Sequence, residues 1–151
     1  MIVREGRLDH PDVIALLEIH FAAMLANSPP GTCHFLDLSG LAAPGVDFWT
    51  VWDGETLLGC GAMKLLAPDH GEIKSMRTTP AALRRGVATA LLDHIVTTAR
   101  ERGITRLSLE TGTGPEFDAA HGLYRRHGFE PCGPFGDYRA TDFNSYMARS
   151  I

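Results

Sequence analysis

The sequence predicts a mixed α+β fold, with a central, mostly antiparallel sheet flanked by helices. Two observations carry that prediction. The first is a run of three apolar-rich segments, 46–52, 56–66 and 72–78, joined by tight turns. Asp53-Gly54 is a strong hairpin signal, and Pro68-Asp69-His70-Gly71 turns the chain again. Strands linked this closely pair antiparallel. The second is a strand, an amphipathic helix and another strand in succession, from 72 to 110. By the crossover rule, the two strands of such a unit are parallel neighbours.

The elements follow in order. Ile2 and Val3 start a short strand. Asp9 before Pro11 suggests a helix cap and a first-turn proline, with the helix running from His10 to Asn27. Its apolar face is Val13, Leu16, Leu17, His20, Phe21, Met24 and Leu25. Ser28-Pro29-Pro30-Gly31 ends it. Residues 32–45 read as a long irregular connection, and its apolar content predicts that it folds over something. His34 and Phe35 are candidate pocket residues there, or they pin the loop to the core. The helix after Gly86 is the best-defined element, with Val87, Leu91, Ile95 and Ala99 four apart. Arg100, Arg102 and Gly103 close it with cations and a glycine. Ile104–Glu110 alternates as a strand. A further helix is expected over Glu116–His127, a strand from Phe129, an irregular segment over 131–142 and a last strand near Asn144–Arg149. No repeat or linker divides the chain, so a single domain over 1–151 is expected.

Composition narrows the function. A net charge of −4 argues against a nucleic-acid partner. The longest apolar run, near Leu16–Ala26, is broken by Glu18 and His20, so no membrane span is expected. The N-terminal ten residues lack a signal-peptide core, and three widely spaced cysteines suggest neither a disulfide framework nor a metal site; a reducing cytoplasm is the expected compartment. The histidines form no zinc pattern, so no metal is expected.

The stretch Met76–Arg102 organises the rest. A strand leads through the basic turn Arg84-Arg85-Gly86 into a helix N-terminus, where backbone N–H groups and the helix dipole favour an anion. On its own this is equally an ordinary basic loop before an ordinary helix.

Four segments in sequence resemble the GNAT superfamily of acyl-CoA-dependent N-acetyltransferases: GEIKSMRTTP at 71–80, LRRGVATALL at 83–92, LSLETG at 107–112 and AAHGLYRRHGF at 119–129. Together they cover about half of the chain. The resemblance implies that the strand before the basic loop splays from its parallel neighbour and that acetyl-CoA lies in the gap. Gly86 and Ala88 then admit the pyrophosphate, backbone groups through Val87 and Thr89 donate to it, and Arg84 or Arg85 adds charge. Ser75, Met76, Arg77 and Thr78 would line the pantetheine arm, which is held like an added strand. The family loop begins with Gln or Arg, whereas this chain has Leu83.

The resemblance also implies a direct transfer to a primary amine in a ternary complex. Tyr124 matches the tyrosine near the thioester sulfur and would protonate the leaving thiolate; alternatively it is a core aromatic. Glu72 matches a strand carboxylate that would take the amine proton; alternatively it is an edge charge paired with Lys74. Glu110 is a second carboxylate, and Lys74 a contact for an acceptor carboxylate. Simple alternation puts Glu72, Lys74 and Met76 on one face of their strand. The expected acceptor is a small amine, an amino acid or a protein terminus, and a homodimer through an apolar edge or the last strand is expected. A non-catalytic acyl-CoA sensor is the competing function. A P-loop or dinucleotide fold is disfavoured, because neither Gly-Lys-Ser/Thr nor Gly-x-Gly-x-x-Gly occurs.

Overall fold

A computed structural model describes residues 1–151. Seven strands form one sheet. They are β1 (Ile2–Glu5), β2 (Val46–Asp53), β3 (Thr56–Ala67), β4 (His70–Thr78), β5 (Arg106–Thr111), β6 (Glu130–Cys132) and β7 (Ser145–Ser150), in the spatial order β1-β2-β3-β4-β5-β7-β6. Only β4 and β5 are parallel; every other neighbouring pair is antiparallel. The helices are α1 (Pro11–Ala26), α2 (Leu38–Leu41), α3 (Val87–Glu101) and α4 (Asp118–Arg126). The three-strand meander and the parallel crossover are as the turn and periodicity signals require. The insertion of β7 between β5 and β6 has no local signal in the sequence.

Two cores lie on the two faces of the sheet. One contains Leu91, Leu92, Ile95 and Val96 of α3, packed over Val51, Met63, Ile73 and Leu107. The other contains Val13, Leu16 and Leu17 of α1, packed over Phe48, Trp52 and Cys60. Glycine makes the close approach of α3 workable. A Cβ on Gly61 would come within 2.5 Å of the Met76 sulfur and 2.7 Å of a Leu91 methyl. At Gly59 it would meet Val87 at 2.8 Å and the Arg77 carbonyl at 2.9 Å.

Several local expectations are corrected. The α1 cap is His10, whose Nδ1 accepts from Asp12 N at 3.1 Å, not Asp9. Leu25 is 60% exposed, because the C-terminal turn of α1 runs past the packed part of the sheet. The 32–45 connection is not wholly irregular: Asp37 caps the one-turn α2 through Gly40 N. The expected helix from Glu116 begins as a short 3-10 turn, Pro115–Phe117, before α4.

The strand that matters most is β4. Cys60 pairs with Arg77 and Ala62 with Lys74, so one β3 residue opposes two residues of β4. This is a β-bulge, and Ser75 within it has φ +58°. It breaks the alternation. Met76 packs against the α3-side core with Ile73, whereas Glu72 and Lys74 bond to each other away from it. The expectation that Met76 shares their face is therefore overturned by the extra residue.

Candidate active site

The site begins where two strands part. β4 and β5 pair only from His70↔Arg106 to Ile73↔Leu109. Beyond that point β4 continues to Thr78 along β3, and β5 continues to Thr111 along β7. The sheet therefore opens into a wedge, and the inner edge of β4 from Lys74 onward has no strand partner.

A cavity of about 520 Å³ occupies the outer end of the wedge, between β4, the start of α3 and α4. Met76, Arg77 and Thr78 line it from the strand, Gly86, Val87, Ala88 and Thr89 from the helix start. Gly86 has φ +81°, a left-handed conformation that costs glycine nothing, and Arg84 has φ +62°. No side chain caps α3. Its first intrahelical bond is Ala90 N to Gly86 O, so the N–H groups of the first turn remain free for an anion. Arg84 also lines this cavity, and Arg85 is exposed beside it. Leu83 lines the same mouth and is 59% exposed.

A second cavity of about 190 Å³ lies deeper, between α1, β4 and β5. The two share Met76, Arg77, Glu116, Ala120 and Tyr124, so they meet at the wedge. Tyr124 sits at the junction, edge-on to Phe129 at 5.8 Å. Burial pushes its phenol well above the usual tyrosine range, so it stays protonated and keeps an O–H to donate. A third space, about 730 Å³, opens outward past His34, Phe35, Lys74 and Tyr138.

The two carboxylates of the inner cavity differ. Glu72 is 3% exposed, and its Oε2 accepts from Lys74 Nζ at 3.2 Å and from Tyr138 OH at 2.5 Å. Lys74 Nζ also donates to Tyr138 OH at 2.9 Å. A carboxylate buried this deeply needs such partners, since an unpaired charge would cost several kcal/mol. Glu110 is half-buried and accepts a single hydrogen bond, from Asn144 Nδ2 at 3.2 Å. Burial raises its pKa to about 7; the Asn144 bond and Lys74 oppose the rise, and Glu72 adds to it. Glu110 is thus the carboxyl poised to exchange a proton near neutrality.

On the α1 side, Arg77 Nε donates to His20 Nδ1 at 2.9 Å. Burial and the neighbouring Arg77 lower the His20 pKa to about 3, so this histidine is neutral. Phe35 stacks on Phe21 at 4.9 Å, and His34 stands edge-on to Tyr138 at 5.0 Å. Burial, followed by Lys74, lowers the His34 pKa.

The residues named from the sequence converge. Arg84, Gly86, Val87, Ala88, Thr89 and Thr78 line the outer cavity, whereas Arg85 does not; His34, Phe35, Glu72, Lys74, Ser75 and Glu110 line the inner one, and Met76, Arg77 and Tyr124 line both. His20, Glu116, Phe117, Tyr138 and Asn144 were not singled out. His20 looked like one more member of the apolar face of α1. Tyr138 and Asn144 lie in or beside a segment without periodicity, and only the folded chain brings them to β4 and β5. No helix is long and apolar enough to cross a membrane.

Residues 14–129 match the model of the acetyltransferase (GNAT) family. The chain is 49% identical to the uncharacterized N-acetyltransferase YedL of Escherichia coli strain K12, over 99% of this chain and 94% of that protein. It is 45% identical to the uncharacterized N-acetyltransferase YsnE of Bacillus subtilis strain 168, over the full length of both. Among solved structures, an aminoglycoside 6′-N-acetyltransferase complexed with coenzyme A shares the fold with a TM-score of 0.76, at 14% identity, over 99% of this chain and 97% of that one. The chain belongs to the GNAT acetyltransferase family. It is an N-acetyltransferase, and the reading as a non-catalytic sensor falls away.

Proposed function

We propose that this GNAT N-acetyltransferase takes its acetyl group from acetyl-CoA and passes it directly to the primary amine of a small molecule. The observation that carries the proposal is the meeting of two cavities at Tyr124, where β4 leaves β5. The outer cavity offers what a pyrophosphate needs: free N–H groups of a helix start, a left-handed glycine and adjacent arginines. The unpaired edge of β4 offers what the amides of a pantetheine arm need. The coenzyme A in a structural neighbour of the same fold supports this assignment.

The amine enters from the outer space past His34 and Tyr138 as an ammonium ion. Glu110 takes its proton, directly or through a water; its pKa of about 7 suits that task at neutrality, whereas Glu72 is already engaged by Lys74 and Tyr138. The amine nitrogen then attacks the thioester carbonyl. A backbone N–H near Met76 or Arg77 would stabilise the oxyanion. The C–N bond forms, the C–S bond breaks, the Tyr124 hydroxyl protonates the departing thiolate, and the proton shed by the new amide nitrogen returns to the Tyr124 oxygen. Glu72 holds Lys74 and Tyr138 in place and shapes the entrance.

Calorimetry with acetyl-CoA, paired with thiol release across a panel of primary amines, tests this reading. A ligand at 100 times its Kd stabilises the fold by about 2.7 kcal/mol, which a thermal melt registers. Binding, stabilisation and amine-dependent thiol release are expected. Absence of both binding and stabilisation by acetyl-CoA sinks the proposal.

A further inference from the structure

Two polar side chains lining the inner cavity have hydrogen-bonding capacity that the protein leaves unused. Arg77 is partly buried, and its only side-chain hydrogen bond is Nε to His20. No carboxylate lies within salt-bridge distance of its guanidinium. Its terminal amino groups are thus unmatched while they line the cavity. Ser75 is 9% exposed, lines the same cavity, and its hydroxyl oxygen bonds to nothing in the protein. Leaving a buried hydroxyl unsatisfied is costly, and native folds rarely tolerate it without a water or ligand to complete it; the free end of the Arg77 guanidinium lines the same cavity.

The charges around the cavity point the same way. Lys74 is neutralised by Glu72. His20 faces Arg77 through a lone pair and is uncharged. Glu116 is exposed at the rim and pairs with no cation. Glu110 lines the cavity too, but burial raises its pKa to about 7, so it is largely charged only above neutrality, and it makes no ion pair with Arg77. Arg77 is the cation there that no carboxylate pairs. Its bond to His20 ties it to α1, on the acceptor side, rather than to α3, where Arg84 stands by the free helix start. It sits on β4 next to Met76, beside the expected position of the thioester.

We propose that Arg77, together with the Ser75 hydroxyl of the same cavity, binds a carboxylate on the acceptor, so that the substrate class is a compact amino-carboxylic acid. This rests on reading the cavity as the site of acetyl transfer. The planar guanidinium, fixed at Nε, presents its remaining N–H groups as a fork matched to a carboxylate. The amine, a few bonds away, is then held towards the thioester.

The test compares matched acceptors, each amino acid against its own carboxamide: glycine, leucine, phenylalanine and glutamate. For the native enzyme, kcat/KM for the acids should exceed that for the amides by tenfold or more. In Arg77→Gln this ratio should collapse towards one, mainly through the KM of the acceptor. Arg77→Lys should recover part of it, since it keeps charge without the fork, and it provides the same readout if the glutamine variant does not fold. Amides used as well as acids, or simple amines acetylated while amino acids are not, would overturn the inference. So would a loss in Arg77→Gln that falls on the KM for acetyl-CoA and leaves the ratio intact. Calorimetry separates the two levels: failure to bind acetyl-CoA counts against the transferase cavity itself, whereas binding with equal use of acids and amides counts only against the carboxylate site.

Discussion

The two halves of the proposed active site are built on different principles. The co-substrate half, from Met76 to Thr89, uses mostly main-chain groups: the unpaired edge of β4 and the free N–H groups at the start of α3. Its parts are close in sequence. The acceptor half uses side chains drawn from across the chain. Tyr138 reaches Glu72 across 66 positions, and Asn144 reaches the Thr32 carbonyl across 112. A main-chain site tolerates many side chains and suits an invariant co-substrate. A side-chain site can be rewritten residue by residue, so it is where specificity can change without disturbing the fold.

The sharpest way to break this comparison is at Glu110. Glu110→Gln should lower kcat/KM by roughly 10³-fold and abolish the rise of activity with pH through about 7. The sign for stability runs the other way. Because the folded-state pKa of Glu110 lies above its ordinary value, its contribution to stability is full below the ordinary pKa and is lost as pH rises through about 7. Removing the charge should therefore raise Tm at pH 8. A retained pH rise in the variant would return the base role to Glu72.

Tyr124→Phe should lower kcat by roughly 10²-fold with little change in either KM, because the lost hydroxyl acts on the leaving thiolate. Single-turnover thiol release checks it, and an unchanged rate would make Tyr124 a core aromatic. Gly86→Val should raise the KM for acetyl-CoA roughly tenfold while sparing that for the acceptor. A Cβ there meets nothing within 4 Å, so the effect would come from backbone strain at φ +81° rather than from a clash. The smallest effect is expected from Asn144→Ala. Loss of its hydrogen bond removes a term that lowers the Glu110 pKa, so the pH midpoint should move upward, with activity at pH 7 falling roughly two- to five-fold. A downward shift would mean that Asn144 acts on something other than Glu110.

The same contrast explains what could be read from the chain alone. The meander, the crossover and the helix start were legible because each depends on local pattern: Asp53-Gly54, the four-residue spacing from Val87 to Ala99, and Gly86 at the turn. Glu110 was visible as a strand carboxylate, but its pKa was not, because that depends on burial and on Asn144. Tyr138 was illegible for the same reason. His20 was correctly placed on the buried stripe of α1 but its bond to Arg77 was not foreseen, since spacing shows which face a residue occupies but not what faces it. Met76 was put on the wrong side because alternation holds only while strands pair one to one.

That last failure has a wider meaning. The extra residue near Ser75 works as a frameshift in the sidedness of β4. Upstream of it, Glu72 and Lys74 face the inner cavity. Downstream, Arg77 faces the same way, three positions after Lys74, where strict alternation would have turned it under α3. A one-residue deletion here would restore a regular strand and yet exchange the two readerships of everything beyond it, giving the acceptor's groups to the core. The bulge lets a single strand line two different cavities, and its loss should be harder to compensate than any single side-chain change along β4.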